Sequence, residues 1–514
     1  MTKTLSQSDL VSALEGIVGS NAVNDSDHAR WTYALSEAWS TVSPGLTDDL
    51  YLDLGPPDVI VKPKTTKHVV EIVKLANKYV IPIIPRGGGT GNASGSAALT
   101  SGGIMLDLLD MNSFIRNDPV SRACRFQAGI TWGKLCYELK EFGLSPGFMG
   151  PHGMYAAAIG GGISIDSTGI QGTKYGQENE NVMNLQVVLP TGEVIETGSL
   201  ANPCADWYFR YCNGPDLAGL FMGSCGAFGI ITEVTLKTFP EPEYHSDFLY
   251  VFPNEQDQCQ ALTEISSYEI MSDYMGLAQG FQYAIVENAF NLERGKTKKG
   301  PALIHTSAYD EVILERKNIM LDKIANKYKA IKFPEDPTIF GVSGHDTNEM
   351  LGGATCKWFG GMLHKTCSIL PLLKCPEMNK WHYKFFKNPK ILDLLSTTGL
   401  GNKCWSIQYP GGAWGPYVLH MSMFNMDATT RDLRTKAYKL WHEILKTKVE
   451  LGTCPYWTAK DAFMPHLVKK FKPAYWNLLK ALKKLFDPNN IMNPGAFLLG
   501  LGDAEEEILS KKFP

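Results

Sequence analysis

The sequence predicts an α+β protein of two domains. The chain has 514 residues, whereas single cores stop growing near roughly 250–300 residues. Its first half alternates short β-rich runs with glycine-rich turns, and a helical segment lies between two of these runs. From residue 243 onward the glycine turns thin out and helical stretches lengthen. Aromatic residues gather there, among them Trp358, Trp381, Phe385, Trp405 and Tyr417. Hydrophobic residues make up 44% and charged residues 20%, the balance of a globular chain rather than a disordered one.

The elements follow in order. Residues 9–45 read as helical with loops. Pro57-Asp-Val-Ile-Val-Lys-Pro is a short strand ended by Pro63. In the next segment, Val69, Ile72, Val73 and Ala76 fall on one helical face, with Thr66 as the expected N-cap. Ile81-Pro-Ile-Ile-Pro is the following strand, and it runs directly into Arg86-Gly-Gly-Gly-Thr-Gly. That order of strand, helix, strand and glycine loop is a nucleotide-binding pattern. Leu185–Gly198 reads as a hairpin turning at Thr191-Gly192, and Gly229–Phe239 as a long strand. Pro240-Glu-Pro-Glu marks a boundary, and Tyr475–Phe486 is a helix stopped by Asp487-Pro-Asn-Asn.

Charge and cysteine usage narrow the function. The net charge of −4 and the lack of a basic stripe exclude nucleic acid as the expected partner. Eleven scattered cysteines, with no Cys-x-x-Cys pair, argue against a structural zinc, a ferredoxin-type cluster or a c-type haem. Free buried thiols in a reducing compartment are the simpler reading. The first residues carry no apolar signal core, and no run approaches about 20 apolar residues. A cytoplasmic protein without a transmembrane segment is expected, with peripheral membrane association left open.

Three glycine-rich segments each lie next to a strand: Pro85–Asn92, Ile159–Gly169 and Gly223–Thr232. Glycine allows left-handed backbone and lets successive N–H groups crowd around an anion. Three such cradles in one domain suit a long ligand such as FAD.

These segments resemble a known family. Pro85-Arg-Gly-Gly-Gly-Thr-Gly, Ala128-Gly-Ile-Thr-Trp-Gly-Lys-Leu, Ile159-Gly-Gly-Gly, Lys174-Tyr-Gly, Asp216–Glu233 and Asp487–Gly495 are similar to signatures of the vanillyl-alcohol oxidase / para-cresol methylhydroxylase superfamily. This FAD-binding superfamily also contains D-lactate and glycolate dehydrogenases and alkylglycerone-phosphate synthase. The likeness covers residues 55–242 well and 415–500 loosely; residues 243–414 match only in general character. It implies a two-subdomain FAD-binding domain of the para-cresol methylhydroxylase type over 1–242. An α+β substrate (cap) domain follows over 243–450, and 451–514 returns to the FAD domain.

The resemblance also implies where FAD contacts fall. Pro85, Arg86, Gly87, Gly88, Gly89, Thr90, Gly91 and Asn92 would take the pyrophosphate. Gly129, Gly160, Gly161, Gly162, Ser164, Gly169, Gly226 and Ile231 would line the rest, and Asn493 would approach the isoalloxazine. Cys225 replaces an acidic residue common in the family.

Flavin dehydrogenation needs a C–H aimed at N5, a group to take or polarise the hydroxyl proton, and a dry pocket. His152, in Gly150-Pro-His-Gly, stands where the phenol-oxidising branch carries an acidic residue, and it would take the proton. Its bland alternative is a loop histidine. Tyr456 in Tyr456-Trp-Thr would orient a substrate oxygen, or would be a buried tyrosine with a satisfied hydroxyl. Trp457 replaces the arginine that helps bind a phenolate. His420, a catalytic candidate on a strand facing the pocket, is the remaining member of the hydroxy-acid branch's metal pair, with Ala413 in place of the other histidine, so no metal is expected. Trp414, Tyr417 and Trp457 would line the substrate pocket.

The expected activity is hydride transfer from an alcohol-type, apolar or aromatic substrate to flavin N5. The alternatives are a D-2-hydroxy-acid dehydrogenase with a degenerate metal site, a non-redox flavin enzyme resembling alkylglycerone-phosphate synthase, and an electron-relay subunit. An acceptor protein or oxygen would complete the cycle, and a homo-oligomer is compatible with the sequence.

Overall fold

The computed structural model describes residues 5–34, 56–91, 95–96, 102–148, 154–169, 171–277, 300–333, 362–391, 404–410, 415–426, 430–456 and 463–501. Two sheets come from the first half of the chain. In the first, Val59–Val61, Ile104–Asp107 and Ile83–Arg86 run parallel, with Val23–Asn24 antiparallel at the edge. The strands Val59–Val61 and Ile104–Asp107 are buried throughout. Such runs suit a sheet covered on both faces.

The helix Thr66–Tyr79 connects two of these strands and buries Val69, Ile72, Val73 and Ala76, the face its spacing predicts. Its cap differs by one residue from expectation. Thr65, in extended backbone, accepts the His68 N–H at 3.2 Å. Thr66 instead donates its hydroxyl to Gln186 Oε1 at 2.8 Å and ties the helix to the second sheet.

That second sheet is antiparallel, in the order Phe114–Asp118, Ala123–Gln127, Ile230–Lys237, Val182–Val188, Val194–Glu196. The hairpin closes through Gly192 at φ +84°, a left-handed position that glycine tolerates. Its core joins Phe126, Trp132, Leu185, Phe221 and Val234.

The third sheet has eight strands among the described residues, in the order Ile331–Lys332, Tyr244–Phe252, Gly300–Ala308, Asp273–Leu277, Cys404–Pro410, Tyr417–Met426, Met362–Pro371, Cys454–Pro455. Strand side chains alternate between faces. On one face Leu419 and Met421 join Cys367 in the core of the second sheet. On the other, Val418, Leu370 and Ile304 pack with helix Glu255–Ser267 and with the helices Glu311–Lys327 and Cys375–Phe386.

The chain then returns to the first sheet. Ile83 pairs with Met492, its N–H donating to Ile491 O at 2.7 Å, and Asn493 N–H donates to Ile83 O at 2.8 Å. Lys483 fixes this return from inside. Its ammonium donates to Asp487 Oδ2 at 2.6 Å, to Met492 O at 2.6 Å and to Ala227 O at 3.1 Å. Among the described residues, no helix is long and apolar enough to cross a membrane.

Candidate functional site

The glycine segments do not all do the same thing. A Cβ on Gly88 would lie 1.6 Å from Ala156 O, and one on Gly87 would lie 2.8 Å from Ala158 Cβ. Cβ atoms on Gly129, Gly160, Gly162 and Gly226 would run into Leu108 O, Ala128, Glu178 and Pro85 at 1.8, 2.6, 2.2 and 2.7 Å. These residues lack side chains so that loop can touch loop. Gly161 is different: nothing lies within 4 Å of its Cβ position, and Gly91 meets only Ile165 Cδ1 at 3.5 Å. Beside Gly161, and beside Gly91 but for Ile165, the backbone therefore borders open space, a lane along the glycines. Ile159–Ile163 is a short helical turn rather than an open loop. The turn brings Gly161 to the lane while Gly160 and Gly162 pack inward.

The other expected contacts sort around this lane. Ser164 donates to Gly160 O at 2.7 Å and accepts Cys225 N–H on its carbonyl at 2.8 Å. Cys225 is buried in left-handed backbone. Arg86 turns its guanidinium back under the loop, over the Tyr33 ring at 5.0 Å and onto Tyr33 O at 3.3 Å. Gly89, at φ +68°, leaves room for it. Ile231 pairs with Val187 inside the sheet and joins the core. Thr90 and Gly169 are half-buried. Asn92 lies outside the described residues, as do His152, Trp414 and Trp457.

Asn493 is fully buried at φ +39° and donates its amide to Cys225 O at 2.6 Å and Gly95 O at 3.1 Å. Its Oδ1 is a buried acceptor without a partner among the described residues. Such an atom is costly unless a ligand or water meets it.

Tyr456, just after the last strand of the third sheet, meets the segment that follows these glycines. Its phenolic oxygen accepts the Thr168 N–H at 2.8 Å, and Ser167 interacts with it. Burial pushes its pKa up to about 12. Beneath the same segment lies Glu178, wholly buried and beside Ser167 and the Ile163 N–H. Burial raises its pKa well above the usual carboxylate range. The sequence gives no hint of this: Gln177-Glu-Asn-Glu-Asn181 reads as a solvated polar turn. Ser167, Thr168 and Glu178 are the functional candidates that sequence reasoning missed.

His420 belongs elsewhere. It is buried on the sheet face opposite Leu419 and Met421, where Nε2 meets Asn379 Oδ1 at 2.8 Å. Its carbonyl accepts the buried Lys448 ammonium at 3.1 Å. Burial first, then the Lys448 charge and His382, holds its pKa well below the usual value. Strand alternation turns this imidazole away from the glycine segments, against the expectation of a pocket histidine. Tyr417 is half exposed at the start of the same strand. No group of three His, Cys, Asp or Glu side chains placed to hold a metal occurs among the described residues.

The lane fits FAD. It offers glycine backbone beside open space, the Asn493 acceptor, and a buried acid whose pKa is raised. Residues 57–198 match the family model of an FAD binding domain, and residues 460–497 match the C-terminal domain of FAD linked oxidases. The chain is 27% identical to the glycolate oxidase subunit GlcD of Bacillus subtilis, over 89% of this chain and 92% of that one. It is 26% identical to the mitochondrial D-lactate dehydrogenase [cytochrome] of Arabidopsis thaliana, over 95% and 80%. The solved structure of p-cresol methylhydroxylase with substrate bound superposes with a TM-score of 0.76, at 19% identity, covering 96% of each chain. The chain carries the FAD binding domain and the C-terminal domain of FAD linked oxidases on the fold of p-cresol methylhydroxylase, and it is a flavin-dependent dehydrogenase or oxidase with FAD as its cofactor.

Proposed function

We propose that this enzyme oxidises an alcohol-type substrate with an apolar or aromatic body. The observation that carries the reading is the apolar surroundings of Tyr456, which shares one core cluster with Cys367, Leu419 and Met421, with Met275 and Ile369 packed against it. Bound FAD supplies the acceptor, taking a hydride at N5. The protein's part is to hold the substrate oxygen and exclude water. The Tyr456 oxygen accepts from Thr168 N–H, and its hydroxyl would serve as the group that orients a substrate oxygen. Its high pKa keeps that proton in place at physiological pH. We assign proton acceptance to His152 on its sequence position alone. The same reading takes residues 1–242 as the FAD-binding domain, 243–450 as the substrate (cap) domain and 451–514 as the segment returning to the FAD domain.

A second reading, a D-2-hydroxy acid, draws support from the two sequence relatives, whose names are those of a glycolate oxidase subunit and a D-lactate dehydrogenase. Lys174 supplies cationic charge for a carboxylate: it stands 3.4 Å from Ser307 Oγ, and burial, then Lys317, lowers its pKa to about 8. Anaerobic mixing of the yellow protein with a substrate panel separates the two. Flavin bleaching by benzylic or long-chain alcohols supports the first. Bleaching by D-lactate or glycolate alone overturns it in favour of the second.

A further inference from the structure

The helix Pro473–Phe486 turns Trp476, Leu479, Leu482 and Phe486 into the two neighbouring cores. The flank that adjoins this face is apolar as well. Tyr475, Leu478 and Leu485 are 53%, 58% and 75% exposed. At about 100° per residue, Leu485 lies roughly 20° from Leu478, with Ala474 and Ala481 beside them. Together they form a continuous apolar stripe along the outside of the helix. Lys480 and Lys484 flank one edge of the stripe, and both are exposed. Lys469, Lys470 and Lys472, also exposed, stand just before the helix. No aspartate or glutamate occurs between Asp461 and Asp487, in a chain whose net charge is −4.

We propose that this face lies on an anionic lipid surface, with the leucine stripe sunk to the depth of the headgroups. Charge complementarity argues for lipid: five exposed lysines without an acid among them suit a sheet of negative headgroups. Geometry argues the same way, since the stripe is a convex ridge flanked by lysines that can snorkel, as in interfacial helices. The lysine that faces inward, Lys483, is the one spent on Asp487 and the returning tail. The helix is thus anchored on one side and offered to a surface on the other.

The test uses the full-length flavin-loaded protein in vesicle sedimentation. Vesicles of phosphatidylcholine containing phosphatidylglycerol should carry the protein down; phosphatidylcholine alone should not, and high salt should release it. Each lysine near such a surface is worth about fivefold in partitioning. Lys480→Glu with Lys484→Glu should therefore cost at least about thirtyfold, and Leu478→Ser with Leu485→Ser should also abolish sedimentation. An unchanged flavin spectrum certifies the fold of each variant. Equal binding to both vesicle types, or unaltered binding of the variants, overturns the proposal. So does the finding, by light scattering, that the leucine variant splits an oligomer without changing vesicle binding, which would make the stripe a seam between copies.

Discussion

The phenolic oxygen of Tyr456 accepts the backbone N–H of Thr168 at 2.8 Å across 288 residues of chain. This bond joins the last strand region of the cap sheet to the segment that follows the open glycine. Tyr456→Phe keeps the ring but leaves a buried N–H unsatisfied, at a cost of about 1–3 kcal/mol. Flavin should stay bound, the melting temperature should fall, and anaerobic flavin reduction should slow. Wild-type reduction kinetics in Tyr456→Phe would remove the tyrosine from the site.

Two glycines in neighbouring loops should behave in opposite ways. Gly88→Ala forces a methyl onto Ala156 O, so the protein should lose stability with or without cofactor. Gly161→Ala meets no protein atom within 4 Å, and alanine is favourable in a helical turn. Its apoprotein should melt as the wild type does while its affinity for FAD falls. If Gly161→Ala binds FAD at full strength, the lane past Gly161 is not where the cofactor runs.

Glu178 should tie FAD binding to alkaline pH. Its folded pKa is raised by burial, so what the neutral acid contributes is fully present below the ordinary carboxylate pKa. That contribution is lost as pH rises through the raised value. The resulting carboxylate would sit beneath Gly162, beside a cofactor that is itself anionic. Titration of FAD affinity should show weakening at high pH in the wild type and a flat profile in Glu178→Gln. Parallel profiles would mean that Glu178 does not ionise in the accessible range.

Local patterns in the sequence carried the scaffold and not the side-chain roles. The period of Val69, Ile72, Val73 and Ala76 marked the helix Thr66–Tyr79, because burial on one face leaves a 3.6-residue trace. The glycine runs marked loops that touch their neighbours for a similar reason: close approach admits no other residue. Which glycine touches protein and which faces an open lane depends on Ala156 and Glu178, whose placement leaves no periodic trace. His420 shows the same limit. Its strand was legible, but its face is set by register against Ser368 and Gln408. A shift of one residue would have turned it inward.

Lys483 should be the most costly single substitution in the tail. The ammonium is buried, with Asp487, Met492 O and Ala227 O as its partners. Lys483→Met leaves the Asp487 carboxylate buried without its counter-charge, a loss of about 3–5 kcal/mol. Because the same bonds hold Met492 beside Asn493, flavin should be released at lower denaturant than in the wild type. A variant as stable as its parent, with flavin retained, would show that the tail docks without this pair.

His382 offers a test of buried charge away from the flavin. It is 2% exposed on helix Cys375–Phe386, its ring 4.5 Å from that of Phe386. Neither ring nitrogen has a hydrogen-bond partner among the described residues. Burial, and then the Lys448 charge, pushes its pKa down to about 3. Because the folded value is depressed, the stability it permits is intact above the unfolded pKa of about 6.5. As pH falls toward 3, the unfolded chain takes a proton that the folded one refuses. That costs about 1.4 kcal/mol per pH unit. His382→Leu removes the penalty and places an apolar side chain against Phe386. Denaturant unfolding at pH 7.5, 6 and 5 should find the variant at least as stable at pH 7.5, with its advantage widening at each step down. Curves that run parallel over that range would mean that His382 binds its proton as readily in the folded protein as in the unfolded chain.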